Sequence, residues 1–205
     1  MKKKAKFITF EGVEGSGKSS IISLVRNYLV RRGLKVVIFR DPGSTPVGEK
    51  IRAILLDKKN SISHYTELLL YLAARAQLIE EKLKRALNNY DIVICDRFFD
   101  STLVYQGYGL GLGKIVEESV DTFSFGIVPD ITIILDSDVR KSLNRLRKKD
   151  RIEMRSLKFH YRLRKGYRKL AKKFPKRVRL INADKSLNEV FDEVKHTLED
   201  FLLVD

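Results

Sequence analysis

Gly12-Val13-Glu14-Gly15-Ser16-Gly17-Lys18-Ser19 is the stretch on which the reading of this 205-residue chain turns. It fits G-x-x-x-x-G-K-[ST], and its surroundings fit too: the apolar run Phe7-Ile8-Thr9-Phe10 leads in, and a helical stretch near 18–32 leads out. Strand, glycine loop and helix N-terminus together make a phosphate cradle, because backbone N–H groups and the positive end of the helix dipole converge on one anion. Glycine lets the backbone wrap that anion with no Cβ in the way. The expected triphosphate-binding residues are Gly12, Val13, Glu14, Gly15, Ser16, Gly17, Lys18, Ser19 and Ser20. Lys18 would reach the β- and γ-phosphates and Ser19 would hold Mg²⁺. An ordinary glycine-rich strand–helix turn is the alternative; the strand, the spacing and the Lys-Ser pair weigh against it together.

Working outward, strand-like apolar runs fall at 7–10, 35–39, 91–95, 131–135 and 178–181. Helical stretches lie near 18–32, 46–57, 64–89, 114–124, 138–147, 154–174 and 186–203. Short, nearly continuous apolar strands alternating with helices indicate a parallel sheet covered on both faces. The expected fold is therefore α/β, a three-layer P-loop NTPase fold with five parallel strands, and the length fits one domain over 1–205. Active residues should cluster at the carboxyl ends of the strands, where 12–19, 40–45 and 96–106 all lie. Pro46 after Thr45 suits a helix first position behind its cap.

Composition narrows the function. A net charge of +15 resembles a nucleic-acid signal until it is located: residues 140–179 hold 19 Lys/Arg against 2 Asp/Glu, leaving the rest slightly acidic. That stretch reads as a phosphate-gripping lid, as a solvated helix face, or as a nucleic-acid patch. The first two coexist along its length and are favoured over the third. Arg145, Arg147, Lys148, Lys149 and Arg151 lie between two expected helices, which puts the lid at about 145–155. Leu163, Tyr167, Leu170 and Phe174 mark the apolar side of the helix that follows. His64, His160 and His196 are too scattered for a zinc site, and Cys95 ends an apolar run as a small buried hydrophobe. One cysteine forms no internal disulfide and suits a reducing cytoplasm. No 18-residue apolar run and no signal-like segment occurs, so no membrane partner is expected. The charged fraction of 33% leans towards a thermophile.

After the third strand comes Asp96-Arg97-Phe98-Phe99-Asp100-Ser101-Thr102-Leu103-Val104-Tyr105-Gln106. An Asp at a strand end beside a P-loop is where a Mg²⁺ carboxylate belongs, and Arg97 could bridge donor and acceptor phosphates; mere capping of the strand end is the plainer alternative. Here the chain resembles the thymidylate kinase family, P-loop kinases that phosphorylate dTMP. Besides the P-loop and the 96–106 run, the resemblance rests on three segments. These are Phe39-Arg40-Asp41-Pro42-Gly43-Ser44-Thr45, Thr66-Glu67-Leu68-Leu69-Leu70-Tyr71-Leu72-Ala73-Ala74-Arg75-Ala76-Gln77, and Asp150-Arg151-Ile152-Glu153.

The resemblance implies roles for matching positions. Tyr71 and Arg75, at i and i+4 on one helix face, would stack on the thymine base and donate to its carbonyl. Thr102 and Gln106 would contact the base and pocket rim, Tyr105 would crowd the sugar 2′ position, and Glu14 would accept from the 3′-hydroxyl. Asp41 and Arg52 complete the expected substrate set. A core Tyr with Arg75 paired to a carboxylate is the alternative for that helix. Some family members carry a catalytic Arg in the P-loop where this chain has Gly15, so lid arginines, Arg147 and Arg151, are expected to join Lys18 and Arg97 in catalysis. Asp41 stands where Glu is usual, Ser44 where Gly is common, and Tyr71 where Phe is usual. The implied reaction is ATP- and Mg²⁺-dependent conversion of dTMP to dTDP, by a cytoplasmic homodimer. The rivals are the same fold acting on dUMP or another nucleotide, a P-loop nucleic-acid-binding ATPase, and a regulatory NTP-binding module. Lys18→Ala is expected to lose nearly all phosphoryl transfer while staying folded, checked by a kinase assay alongside circular dichroism.

Overall fold

The computed structural model describes residues 5–203; the Lys2-Lys3-Lys4 start lies outside them. Five strands, β1 Lys6–Glu11, β2 Val36–Arg40, β3 Ile92–Asp96, β4 Ile131–Asp136 and β5 Val178–Asn182, form one sheet in the order β2-β3-β1-β4-β5. Every pairing is parallel, as the apolar runs require. The P-loop strand is central, with Phe10 in register with Asp96 on one side and Ile133 on the other.

Alternation along the strands sorts side chains between two helical layers. Phe7, Val93 and Cys95 face one core with Leu72, Leu78 and Leu83, from α3 His64–Leu78 and the π-helical turns Ile79–Leu83. Ile8, Phe10, Ile94 and Ile133 face the other, against α1 Lys18–Arg31 (Ile21, Val25, Leu29). The rest of that layer is α9 Leu187–Leu203, through Val190, Val194 and Leu198. The remaining helices are α2 Pro46–Leu56, α4 Lys84–Asn89, α5 Phe99–Thr102, α6 Lys114–Phe123, α7 Val139–Asn144 and α8 Leu157–Lys173. The cap at Thr45 is real: its side chain accepts from the Gly48 amide at 2.9 Å.

Three boundaries differ from the sequence reading. The expected helix over 64–89 is one run of α3 and α4 interrupted by the π-helical turns. The expected helices over 138–147 and 154–174 are shorter because polar side chains divert the backbone between them. Asp150 Oδ1 accepts from Ile152 N (2.8 Å) and Glu153 N (2.9 Å), making a turn, and α8 starts only after Ser156, whose side chain accepts from Phe159 N at 3.3 Å. Finally, 99–109 is helical, as α5 and the π-helical Leu103–Gly109. Gly107 and Gly109 hide that helix in the sequence. A Cβ on Gly109 would lie 2.7 Å from Phe159 and 2.8 Å from Leu163, so glycine there lets the turn pack against α8. On α8, Leu163, Tyr167 and Leu170 are buried as the apolar face requires.

A polar chain crosses beneath the sheet. Thr9 and Thr132 share a hydrogen bond of 2.8 Å, and Thr132 donates to Asp100 at 2.9 Å. Arg177 donates to both oxygens of the fully buried Asp100, at 2.6 and 2.8 Å. Removing one partner of a buried ion pair leaves the other charge uncompensated. Asp100→Ala is therefore expected to cost about 3 kcal/mol, read as a lower urea midpoint at unchanged m-value.

Candidate active site

The carboxyl ends of β1, β2 and β3 open onto a cleft of about 470 Å³. The P-loop contributes Glu14, Gly15, Gly17, Lys18, Ser19 and Ser20 to its wall, and α2 and α3 contribute Arg52, Tyr71 and Arg75. Asp41 comes from the turn after β2, and Asp96, Arg97, Thr102, Tyr105 and Gln106 from the end of β3 and the segment after it. Of the triphosphate residues expected from sequence, Gly12, Val13 and Ser16 stand behind that wall, with Val13 in the same core cluster as Tyr105.

Loop geometry follows from glycine. Gly12 has φ 141°, and a Cβ there would lie 2.6 Å from the Leu135 carbonyl. Gly15 has φ 71°, and its Cβ would lie 2.1 Å from the Ser142 carbonyl of α7. No side chain fits at position 15 while α7 stays in place, which bears on the missing P-loop arginine. Lys18, almost buried, lays its ammonium against the Gly12 and Val13 carbonyls, both at 3.2 Å. Burial pulls its pKa down to about 8, helped by Arg97 and opposed by Asp96, Glu14 and Glu11.

Arg97 stands between the two halves of the cleft. Its φ of 70° is left-handed, a conformation costing a non-glycine residue roughly 1–3 kcal/mol. Nη1 donates to the Gly12 carbonyl at 2.9 Å, Nη2 to Glu14 Oε1 at 3.2 Å, and the guanidinium lies over the Tyr105 ring, 5.0 Å from its centroid. The Tyr105 hydroxyl donates to the same Glu14 oxygen. His160 of α8 brings Nδ1 to 3.5 Å from Glu14 Oε2, at the outer limit of a hydrogen bond, and neither that oxygen nor either ring nitrogen has another partner. Burial alone would raise the Glu14 pKa; His160, Arg97, Lys18 and Tyr105 outweigh it and bring it down to about 2.

Arg75 is 1% exposed, with Nε on Asp41 Oδ2 and Nη2 on Thr102 Oγ1, each at 2.7 Å. Its Nη1 is buried without a partner, as is Asp41 Oδ1. The carboxylate pairing considered as the alternative for Arg75 thus coexists with a place on the cleft wall. Tyr71 lies on the same wall one turn earlier, and burial raises its phenol well above the usual value. Gln106 donates to Glu67 Oε1 at 2.9 Å, and Arg52 to the Pro42 carbonyl at 3.1 Å.

The basic segment is placed differently from expectation. Neither Arg147 nor Arg151 lines the cleft. Arg147 is exposed, while Arg151 donates to the Leu55 carbonyl and to Glu67 Oε2, each at 2.7 Å. Arg155 meets the same Glu67 oxygen at 2.6 Å. Glu67, fully buried on α3, draws in two cations, so Arg151 is spent on an anchor. Arg145 lines the cleft instead and donates to the Gly15 carbonyl at 3.2 Å. The segment is thus tied to the P-loop at one end and to α2 and α3 at the other. Glu67 was not among the expected site residues, and Arg145 was expected only as one cation of the lid. Glu67 could have been found, since it sits at i−4 from Tyr71 and i−8 from Arg75, on the same helix face.

Ser19 and Asp96 both line the cleft, and Asp96 Oδ1 is buried without a protein partner. A hydroxyl and a carboxylate are hard oxygen donors of the kind Mg²⁺ accepts, with phosphates and water completing its shell. Among the described residues no group of three or more His, Cys, Asp or Glu is arranged around a common metal position. Among them, too, no helix is long and apolar enough to cross a membrane.

Comparison with known proteins agrees with this architecture. A family model described as "Thymidylate kinase" matches residues 10–194. The thymidylate kinase of Thermoanaerobacter pseudethanolicus is 44% identical over 97% of this chain and 100% of its own length. That of Kosmotoga olearia is 42% identical over 96% of this chain and 95% of its own length. A crystal structure of thymidylate kinase from Ehrlichia chaffeensis superposes with a TM-score of 0.79 at 35% identity, covering 96% of this chain and 99% of that one.

The Glu14 environment makes a pH prediction. A folded-state pKa of about 2 against 4.5 contributes stability above pH 4.5 that is lost as the pH falls towards 2. Glu14→Gln is expected to flatten that acid-side loss, measured as the melting temperature against pH.

Proposed function

The chain belongs to the thymidylate kinase family, and from that premise we propose that its cleft transfers the γ-phosphoryl group of ATP to dTMP. The observation that carries the reading is Arg75: a nearly inaccessible guanidinium with an N–H on its unpartnered Nη1 to spare, on the same helix face as Tyr71. A planar base stacked on Tyr71 would bring a carbonyl to that N–H, and a nucleic-acid-binding ATPase has no use for such a pair. On this reading Asp41 and Thr102 fix Arg75, while Gln106 and Tyr105 border the base and sugar. Glu14, held ionised, accepts from the 3′-hydroxyl.

Transfer then needs alignment and charge neutralisation more than acid–base chemistry. Lys18 would leave the loop carbonyls for the donor phosphates, and Arg97 would span donor and acceptor. Arg145 is the basic-segment residue placed to add charge, with exposed Arg147 the further candidate. Ser19 and Asp96 would hold Mg²⁺ carried in with ATP, which would supply further charge neutralisation for the transfer. The segment 145–155 acts as a lid that excludes water and so suppresses ATP hydrolysis. The reading includes a homodimer and a cytoplasmic setting. Exposed Tyr65 and Leu69 on α3 offer apolar surface for the first, and the buried lone thiol of Cys95 suits the second. A pocket tells a methyl from hydrogen by only about 1–3 kcal/mol, so dUMP is a weaker substrate rather than an excluded one.

Thermal unfolding tests the reading: dTMP should raise the melting temperature above that with ATP alone, and dUMP should raise it less. No response to any monophosphate would sink it. Arg75→Lys keeps the charge and loses the planar fork. It should raise KM for dTMP about tenfold or more with KM for ATP unchanged, read from initial rates.

A further inference from the structure

Glu11 has no part in the reaction described so far. It is fully buried, stands behind the cleft wall, and immediately precedes Gly12. A carboxylate so enclosed is costly unless its lone pairs are answered, and here they are. Oε1 accepts from the backbone N–H groups of Phe98 (2.9 Å) and Ser101 (3.2 Å). Oε2 accepts from the Ser101 hydroxyl and from the Tyr167 hydroxyl, the latter at 2.9 Å. The same two hydroxyls also meet Arg97, whose Nη1 donates to Ser101 Oγ and to Tyr167 Oη, each at 3.1 Å.

A hydroxyl has one proton to give. Ser101 and Tyr167 give theirs to Glu11, so each turns a lone pair towards Arg97. The ionised carboxylate thereby sets the direction of two hydroxyl dipoles, and these set where the guanidinium lies. Arg97 needs such a hold, since its backbone is in the left-handed region and its head must meet Gly12 and Glu14 at once. We propose that Glu11, acting through the hydroxyls of Ser101 and Tyr167, is a positioning residue that orients Arg97 for phosphoryl transfer. The proposal rests on the kinase reading of the cleft.

Charged and titratable groups face Glu11 from several elements: Arg97 from the turn after β3, Lys18 from α1, Asp100 from α5, Cys95 from β3 and Tyr167 from α8. Burial raises the Glu11 pKa to about 7, with Arg97 opposing and Asp100 assisting. Below that pH the carboxyl carries its own proton and gives it to one hydroxyl, whose freed proton turns to the other hydroxyl 3.1 Å away; with the carboxylate charge 3.9 Å from Nη1 gone as well, the hold on Arg97 loosens.

The test is steady-state dTMP phosphorylation across about pH 5.5–9 for the wild type, Glu11→Gln and Tyr167→Phe. The wild-type rate should fall on the acid side with a midpoint near 7. Tyr167→Phe removes one donor to the carboxylate, so the limb should move to higher pH with part of the rate restored in alkali. Glu11→Gln should lose the limb altogether, its kcat/KM for dTMP staying flat at about 100-fold below the wild-type alkaline plateau. Its amide must point NH₂ either at the two hydroxyls or at the two backbone N–H groups. A merely structural role would lower activity alike at all pH values; a limb unmoved in Tyr167→Phe or retained in Glu11→Gln overturns the proposal. Should Glu11→Gln fail to fold, Tyr167→Phe, which loses one oxygen and keeps its ring, decides alone. A wild type inactive on dTMP would sink the kinase reading rather than this one. A crystal structure of Tyr167→Phe then tests the proposal without an assay: Arg97 displaced from the Gly12 carbonyl supports it, and Arg97 unmoved overturns it.

Discussion

Two guanidinium groups, Arg75 and Arg97, are sunk into the carboxyl edge of the sheet, and the surrounding structure depends on keeping their charge answered while part of each faces the cleft. A buried arginine with no counter-charge would be expelled or would unfold its surroundings. Arg75 is answered by Asp41 and Thr102. Arg97 is answered by Glu14 above and, through two hydroxyls, by Glu11 below. The partners come from β1, the P-loop, the turn after β2, α5 and α8, so the requirement ties the elements together at one edge. The strand order makes this possible: with β1 between β3 and β4, the P-loop and Arg97 leave neighbouring strand ends on the same side.

The basic stretch follows the same logic. Several of its arginines are spent within the fold rather than left for an outside polyanion. Arg164 and Arg168 grip Asp136 at the end of β4, Arg177 grips Asp100, and Arg151 with Arg155 grips Glu67. These contacts hold α8 against the sheet and anchor the 145–155 segment, several of whose residues border the cleft. Only then do Arg145 at the P-loop and Tyr167 beneath Arg97 reach their places.

Much of this was legible in the sequence because periodicity and loop chemistry are local. The five strands, their parallel character and the Thr45 cap can be read from a few neighbouring residues, and so can the glycine cradle. The i, i+4 spacing put Tyr71 and Arg75 on one face. What escaped depended on tertiary contacts. Gly107 and Gly109 suggest a loop, and only the close approach of Phe159 and Leu163 explains a helix there. Arg151 resembled a free lid cation because nothing local announces that Glu67, 84 residues earlier, would capture it. Glu11 lies just past the apolar run 7–10 and nothing local marks it, since its partners Ser101 and Tyr167 lie 90 and 156 residues away.

The most direct measurement is ADP formation from Mg-ATP with each nucleoside monophosphate offered in turn and single-stranded DNA as a control. ADP formation with dTMP, a weaker rate with dUMP, and no stimulation by DNA are expected. ADP formation driven by DNA but by no monophosphate would contradict the kinase reading, and would return residues 140–179 to the role of a binding surface.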